Sequence, residues 1–262
     1  MAEDVWHHDL GEGAEAERLR LMSTILDPSS RGHLATLPVQ SDWRCLEIGA
    51  GNGSLSQWLA GRLRPPRKVR ATDIATDDLM AGIESPTLDV AQLDVVADGL
   101  PSKAYDLVLI RALLHHLPER MDVLAAMVDA VRPGGWMFVQ EPDLHPTLTV
   151  EPEGQAQFWR EFLAWAASHR IDYHVGRKVA PRLQELGCER ITVEGHTCST
   201  RVGRRSRGGG GWGSPRWRRG CSTRKARDKQ RLGEFFTLNE DPTYWTWTIC
   251  FTAVTAQRPR ST

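Results

Sequence analysis

Three stretches of this 262-residue chain carry residue types and spacings able to do chemistry. The first is Glu47-Ile48-Gly49-Ala50-Gly51-Asn52-Gly53, set between a short apolar run and a helical pattern. Glycines in that place let the backbone turn sharply and approach a ligand with no Cβ in the way. The free N–H groups of the helix start behind them suit a polar or anionic part of the ligand. A dinucleotide turn would read GxGxxG; here the spacing is GxGxG, and Ser54 stands where the third glycine is required. The second is Asp73, 22 residues past Gly51 at the end of the next apolar run, where an acid accepts two hydrogen bonds from ribose hydroxyls. The ligand is therefore read as nucleoside-like. The third is the pair His115-His116, with the carboxylates Glu141 and Asp143 further on. Histidine titrates near neutral pH, which suits removal of a proton from an acceptor, and the carboxylates would orient that acceptor. The plain alternatives are a histidine making structural hydrogen bonds at a helix start and carboxylates solvated at a strand end.

Elements must position these residues, and from Trp43 onward β-rich runs alternate with helical patterns, as in a parallel α/β sheet. Strands are predicted over 43–48, 69–74, 88–93, 104–110, 136–141, 190–195 and 244–254. Helices are predicted over 54–63, 76–83 (with Thr76 as N-cap), 119–131 and 179–187. Pro133-Gly134-Gly135 should separate the 119–131 helix from the next strand. Two amphipathic helices, 14–26 and 154–168, fall outside the alternation and could cover the sheet's C-terminal edge, where open α/β sheets bind ligands. The expected architecture is a Rossmann-like, doubly wound, mostly parallel seven-stranded sheet. Residues 1–36 would form an N-terminal helical lid on a core of residues 37–262, with a cap insertion at 142–177.

Composition narrows the class. Lys+Arg and Asp+Glu both total 33, yet residues 201–231 hold ten Arg and two Lys against the single acid Asp228. The other residues carry 21 bases against 32 acids, so an acidic globule bears one basic, glycine-rich segment. That segment, with Trp212 and Trp217, reads as a nucleic-acid binder, a solvated loop or a local frame slip, and a disordered loop is the reading adopted. Five cysteines without a CxxC pair argue against both a disulfide framework and a zinc site, and no metal is expected. No apolar run approaches the length of a membrane span, and the acidic N-terminus lacks a signal-peptide core, so a cytoplasmic protein is expected.

With these residues in order, the chain resembles the class I S-adenosylmethionine-dependent methyltransferases, and more narrowly the small enzymes that methylate natural products. The resemblance rests on the ExGxGxG turn, the acid Asp73, Leu93-Asp94-Val95, Ala104-Tyr105-Asp106-Leu107-Val108, His116-Leu117-Pro118-Glu119 and Val131-Arg132-Pro133-Gly134-Gly135. It implies S-adenosyl-L-methionine as cofactor. Glu47, Gly49, Ala50, Gly51 and Gly53 would form the cofactor turn, the glycines cradling its methionine part. Asp73 would hold the ribose and Ile74 would pack on the adenine. Asp94 would accept from the adenine amino group with Val95 beside it, and Arg111 and Ala112 would lie near the methionine moiety. His116 is the first choice of base, then His115, with Asp143 orienting the acceptor. The partner expected is a small indole- or phenol-containing metabolite methylated on O, N or C; a homodimer is one assembly open to the chain, whose oligomeric state the sequence does not give. The alternatives are a nucleic-acid methyltransferase using the 201–231 tract and a cofactor-binding chain with impaired catalysis.

Overall fold

A computed structural model of the chain describes residues 14–76, 85–197, 199–201, 233, 237–238, 241–247 and 249–260. The basic tract within 202–231, most of the 76–83 helix and His7 and His8 of the expected lid lie outside these residues. The chain runs α1 (Ala14–Ala35), β1 (Cys45–Ile48), α2 (Ser54–Ala60), β2 (Val69–Asp73), β3 (Leu88–Gln92) and β4 (Tyr105–Arg111). After a 3-10 turn at Leu114–His116 come α3 (Arg120–Ala130), β5 (Val131–Asp143), α4 (Glu153–Ser168) and α5 (Gly176–Glu185). It closes with β6 (Glu189–His196), β7 (Ser199–Arg201), β8 (Trp245–Trp247) and β9 (Cys250–Gln257).

Seven strands form one sheet in the order β3-β2-β1-β4-β5-β9-β6. The pairs β1–β2, β1–β4, β2–β3 and β4–β5 are parallel, and β9 runs antiparallel between β5 and β6. The expected mostly parallel, seven-stranded sheet is thus present. Strand alternation divides the core by face. Leu46, Ile48, Val108, Ile110, Met137 and Val139 pack toward α3 and α5. Their neighbours Cys45, Leu107, Leu109, Trp136 and Phe138 pack with Leu34 of α1 and Leu55 and Leu59 of α2. Five consecutive residues of β4 are buried, Asp106–Ile110, because helices cover both its faces.

The structure corrects several boundaries. The run 244–254 is not one strand: β8 pairs with β7 in a separate two-stranded sheet, and only β9 completes the large one. β5 begins at Val131, so Pro133-Gly134-Gly135 lies within it, tolerated beside the register shift between β4 and β5. α1 continues past Pro28 to Ala35. Burial of Ser30 and Leu34 against the sheet outweighs the donor that proline removes.

Candidate active site

The strand order reverses between β1 and β4, so the connections leaving their C-terminal ends diverge and leave a crevice there. The loop after β1 is shaped by three glycines in the left-handed region, with φ of +67° at Gly49, +54° at Gly51 and +68° at Gly53. A Cβ on Gly49 would lie 2.6 Å from Leu113 Cδ2, and one on Gly51 would lie 3.1 Å from Leu19 Cδ2. Glycine is required here by both torsion and space. The Gly51 N–H donates to Asp73 Oδ2 at 2.9 Å, which ties the tip of β2 to the turn. Beside Asp73, Ile74 is 56% exposed, and Val96 after β3 is 43% exposed. Asp94 accepts from the N–H groups of Val96 and Ala97 through Oδ1, and Val95 beside it is buried in the core. An acid at the tip of β2 therefore meets the turn, with the exposed Ile74 next to it in the chain.

Beneath the turn, Glu47 is fully buried and accepts from Ser56 Oγ. Burial pushes its carboxyl up to about 7, against the pull of the Arg111 guanidinium and the Ser56 hydrogen bond. Arg111, at the end of β4, is itself engaged: Nη1 donates to Asp27 Oδ1 at 2.7 Å, and Nη2 to Ser54 Oγ at 3.3 Å. Ala112 follows in the left-handed region at φ +52°, a strained conformation for a residue with a Cβ. Ala50 is buried at the start of the turn.

The histidine pair occupies the 3-10 turn after β4, and the structure distinguishes its members. His115 Nδ1 lies 2.8 Å from Glu141 Oε2 at the end of β5. The same carboxylate accepts the N–H groups of Leu113 at 2.9 Å, Leu114 at 2.8 Å and His115 at 3.3 Å. Burial lowers the His115 pKa to about 3, with Arg18 and Arg120 adding repulsion, so the ring is neutral. Burial raises the Glu141 carboxyl to about 7, and the three backbone donors pull the other way. With Glu141 ionised, Nδ1–H is the fourth donor and the lone pair sits on Nε2, which no hydrogen bond among the described residues reaches. The ring of His116, the favoured candidate in the sequence, lies against that of His115 with centroids 3.8 Å apart and the planes tilted by 36°.

Asp143 is placed elsewhere. Its carboxylate takes a two-point ion pair from Arg177 at 2.9 and 3.0 Å and the His145 N–H at 3.1 Å, so it anchors the first turn of α5. Tyr173 lies 5.0 Å from the His115 ring and 5.2 Å from Phe162 of α4. With Trp159, Leu26, Leu144 and Phe251 it belongs to an apolar cluster that also includes Met22 and Ala112. An aromatic wall therefore runs from α4 to the histidine. A separate open cavity of about 740 Å³, lined by Leu148–Glu153, Ala156 and Tyr244, lies at the start of α4 and shares none of these groups. Sequence reasoning missed the Glu141–His115 pairing and the whole contribution of Asp27, Ser23 and Asn52, which no local spacing signals.

Comparison with known proteins bears on the fold and on the domain that carries this site. Residues 46–137 match the family model for a methyltransferase domain, and the chain has the fold of class I S-adenosylmethionine-dependent methyltransferases. A trans-aconitate 2-methyltransferase of Mycobacterium tuberculosis is 33% identical over 99 residues, 38% of this chain and 37% of that protein. A ubiquinone biosynthesis O-methyltransferase of Burkholderia cenocepacia is 33% identical over 102 residues, 36% and 42% of the two chains. The chain thus spans about two fifths of the length of these curated relatives. Among solved structures, Haemonchus contortus phosphoethanolamine N-methyltransferase 2 with S-adenosyl-L-methionine superposes with a TM-score of 0.57 at 15% identity, covering 89% of this chain and 53% of that one. An S-adenosylmethionine-dependent methyltransferase of Mesorhizobium loti gives 0.51 at 16% identity, covering 91% and 100%. The glycine cradle, the acid at the tip of β2 and the exposed Ile74 beside it fit such a cofactor: a polar turn, a ribose acceptor and an apolar surface for a base.

Proposed function

We propose that this protein transfers a methyl group from S-adenosyl-L-methionine to a hydroxyl oxygen of a small aromatic metabolite, with His115 as general base. The observation that carries this reading is the buried Glu141–His115 pair, whose imidazole lies 5.0 Å from Tyr173 in the aromatic cluster with Phe162 and Trp159. Burial by itself leaves this ring a weak base, its pKa lowered to about 3, so the Glu141 carboxylate at Nδ1 has to stabilise the imidazolium that forms as the acceptor loses its proton. The O-methyltransferase among the relatives and the aromatic lining favour oxygen, and a phenol in particular.

The cofactor supplies an electrophilic methyl group, so the chain has to bind, align and exclude water. Gly49, Gly51 and Gly53 hold the methionine part, Asp73 the ribose hydroxyls, and Ile74 and Asp94 the adenine; Val95, expected beside the adenine, instead anchors the loop after β3 in the core, and Glu47 and Ala50 support the turn from below. Ala112 sits at the boundary between cofactor and acceptor. Glu141 keeps the His115 proton on Nδ1, so that Nε2 accepts the acceptor's proton. The cluster of α1 and α4 residues roofs the site and keeps water from the reacting atoms. His116 supports the His115 ring by packing its tilted ring against it.

The test is to incubate the protein with methyl-labelled S-adenosyl-L-methionine and a panel of simple phenols, catechols, indoles and arylamines, with tRNA and DNA in parallel. Label in methyl ethers, reduced at least a hundredfold in His115→Ala at unchanged affinity for S-adenosylhomocysteine, is the expected result. Label in nucleic acid or only in amines overturns the acceptor, and full turnover by His115→Ala overturns the base.

A further inference from the structure

One face of α1 meets the glycine turn through three residues spaced four apart. Leu19 packs over Gly51, 3.1 Å from where a Cβ would stand. Ser23 Oγ donates to Asn52 Oδ1 at 2.9 Å and accepts from Ser54 Oγ at 3.0 Å. Asp27 Oδ1 accepts from Arg111 Nη1 at 2.7 Å and lies 3.0 Å from Ser54 Oγ. Asn52 Oδ1 also accepts the Ser54 N–H at 3.3 Å, so the same atoms that shape the turn face the helix. The Asp27 and Arg111 side chains are only 12% and 9% exposed, and an ion pair so placed loses much when one partner is removed.

Resting on the cofactor reading above, we propose that Asp27 is a positioning residue for the cofactor turn: through Arg111 and Ser54 it couples the docking of α1 to occupancy of the glycine loop. Leu19, Ser23 and Asp27 hold the loop in its glycine-dependent shape, and a ligand that orders the loop must in turn hold α1, because such coupling is reciprocal. α1 also packs on the sheet, through Leu34 in the core beneath α2 and through Leu26 in a cluster with Phe251 of β9. Leu19, Ser23 and Asp27 add contacts to the loop itself, at Gly51, Asn52 and Ser54.

The experiment combines calorimetric titration of the full chain with S-adenosylhomocysteine and hydrogen exchange of residues 14–35 with and without it. In the wild type the ligand slows exchange across 19–27. Asp27→Asn weakens binding by on the order of tenfold, as expected for loss of a charged hydrogen bond, and abolishes that slowing while β4 and β5 amides stay protected. Asp27→Glu restores part of both. Should Asp27→Asn unfold, Ser23→Ala removes the middle contact without stranding a charge, and about threefold weaker binding is expected. Binding within twofold of wild type in these variants, or ligand-independent exchange of 19–27 in the wild type, overturns the proposal. A wild type that binds neither S-adenosylmethionine nor S-adenosylhomocysteine overturns the cofactor reading, and the coupling falls with it.

Discussion

Glu141 Oε2 lies 2.8 Å from His115 Nδ1, and three backbone N–H groups converge on the same carboxylate. The arrangement makes the tautomer of a buried imidazole depend on the charge of its neighbour. When Glu141 is ionised it accepts Nδ1–H and leaves Nε2 basic; when protonated it donates to Nδ1 and moves the ring proton to Nε2.

Activity should therefore rise with pH as the Glu141 carboxyl, raised by burial to about 7, loses its proton. Glu141→Gln presents an amide N–H to Nδ1, imposes the wrong tautomer, and should lower turnover on the order of a hundredfold while erasing the acid limb. A pH profile of kcat for both proteins checks this. An unchanged limb in Glu141→Gln would assign the titration to another group.

Asp73→Ala removes the acceptor of the Gly51 N–H and the carboxylate offered to the ribose. Charged hydrogen bonds of this kind contribute about 1.5–3 kcal/mol, so affinity for S-adenosylhomocysteine should fall roughly 10- to 100-fold. Calorimetry at fixed ionic strength is the measurement. Equal affinity would leave Asp73 as a tie for the loop alone.

Gly49→Ala forces a Cβ into the left-handed region at φ +67° and to 2.6 Å from Leu113 Cδ2. The torsion costs about 1–2 kcal/mol and the overlap about 1–3 kcal/mol more. A lower Tm and weaker cofactor binding should follow, and Leu113→Ala in the same chain should recover the second part only. Thermal unfolding of the single and double variants separates the two costs.

Glu47 gives a stability signature. Its carboxyl titrates at about 7 in the fold, above the ordinary carboxylate value, so the folded state holds the proton more tightly. That contribution is complete below the unfolded carboxyl's pKa and is lost as pH rises through about 7. Relative to Glu47→Gln, the wild type should lose on the order of 3 kcal/mol between acid and mildly alkaline pH. Urea unfolding of both proteins across that range is the check. A flat difference would mean the buried group is already ionised.

Local patterns made much of this legible. The GxGxG turn shows itself because only glycine serves its torsions, and β1, β2 and β4 because each is a short β-rich run, that of β4 continuously apolar as a strand covered on both faces must be. The 244–254 run misled because Trp245–Trp247 and Cys250–Gln257 are alike in composition yet pair with different strands. The helix expected over 14–26 runs on past Pro28 to Ala35 because the burial that carries it onward is tertiary. Choosing between His115 and His116 required Glu141, and assigning Arg111 required Asp27. Both partners lie far off in sequence, where no spacing rule reaches.

The position of β9 bears on how the chain reaches this fold. β9 sits between β5 and β6, although β6 ends at His196 and β9 begins only at Cys250. Closing that separation is entropically cheap at equilibrium, since each doubling of a loop costs only about 0.6 kcal/mol. Kinetically it is expensive. Until Cys250–Gln257 arrives, the backbone edge of β5 stands unpaired next to an incomplete sheet, and such an edge templates association between chains. Refolding yield should therefore fall with protein concentration, and a short β-rich peptide of the β9 sequence added during refolding would compete for that same edge.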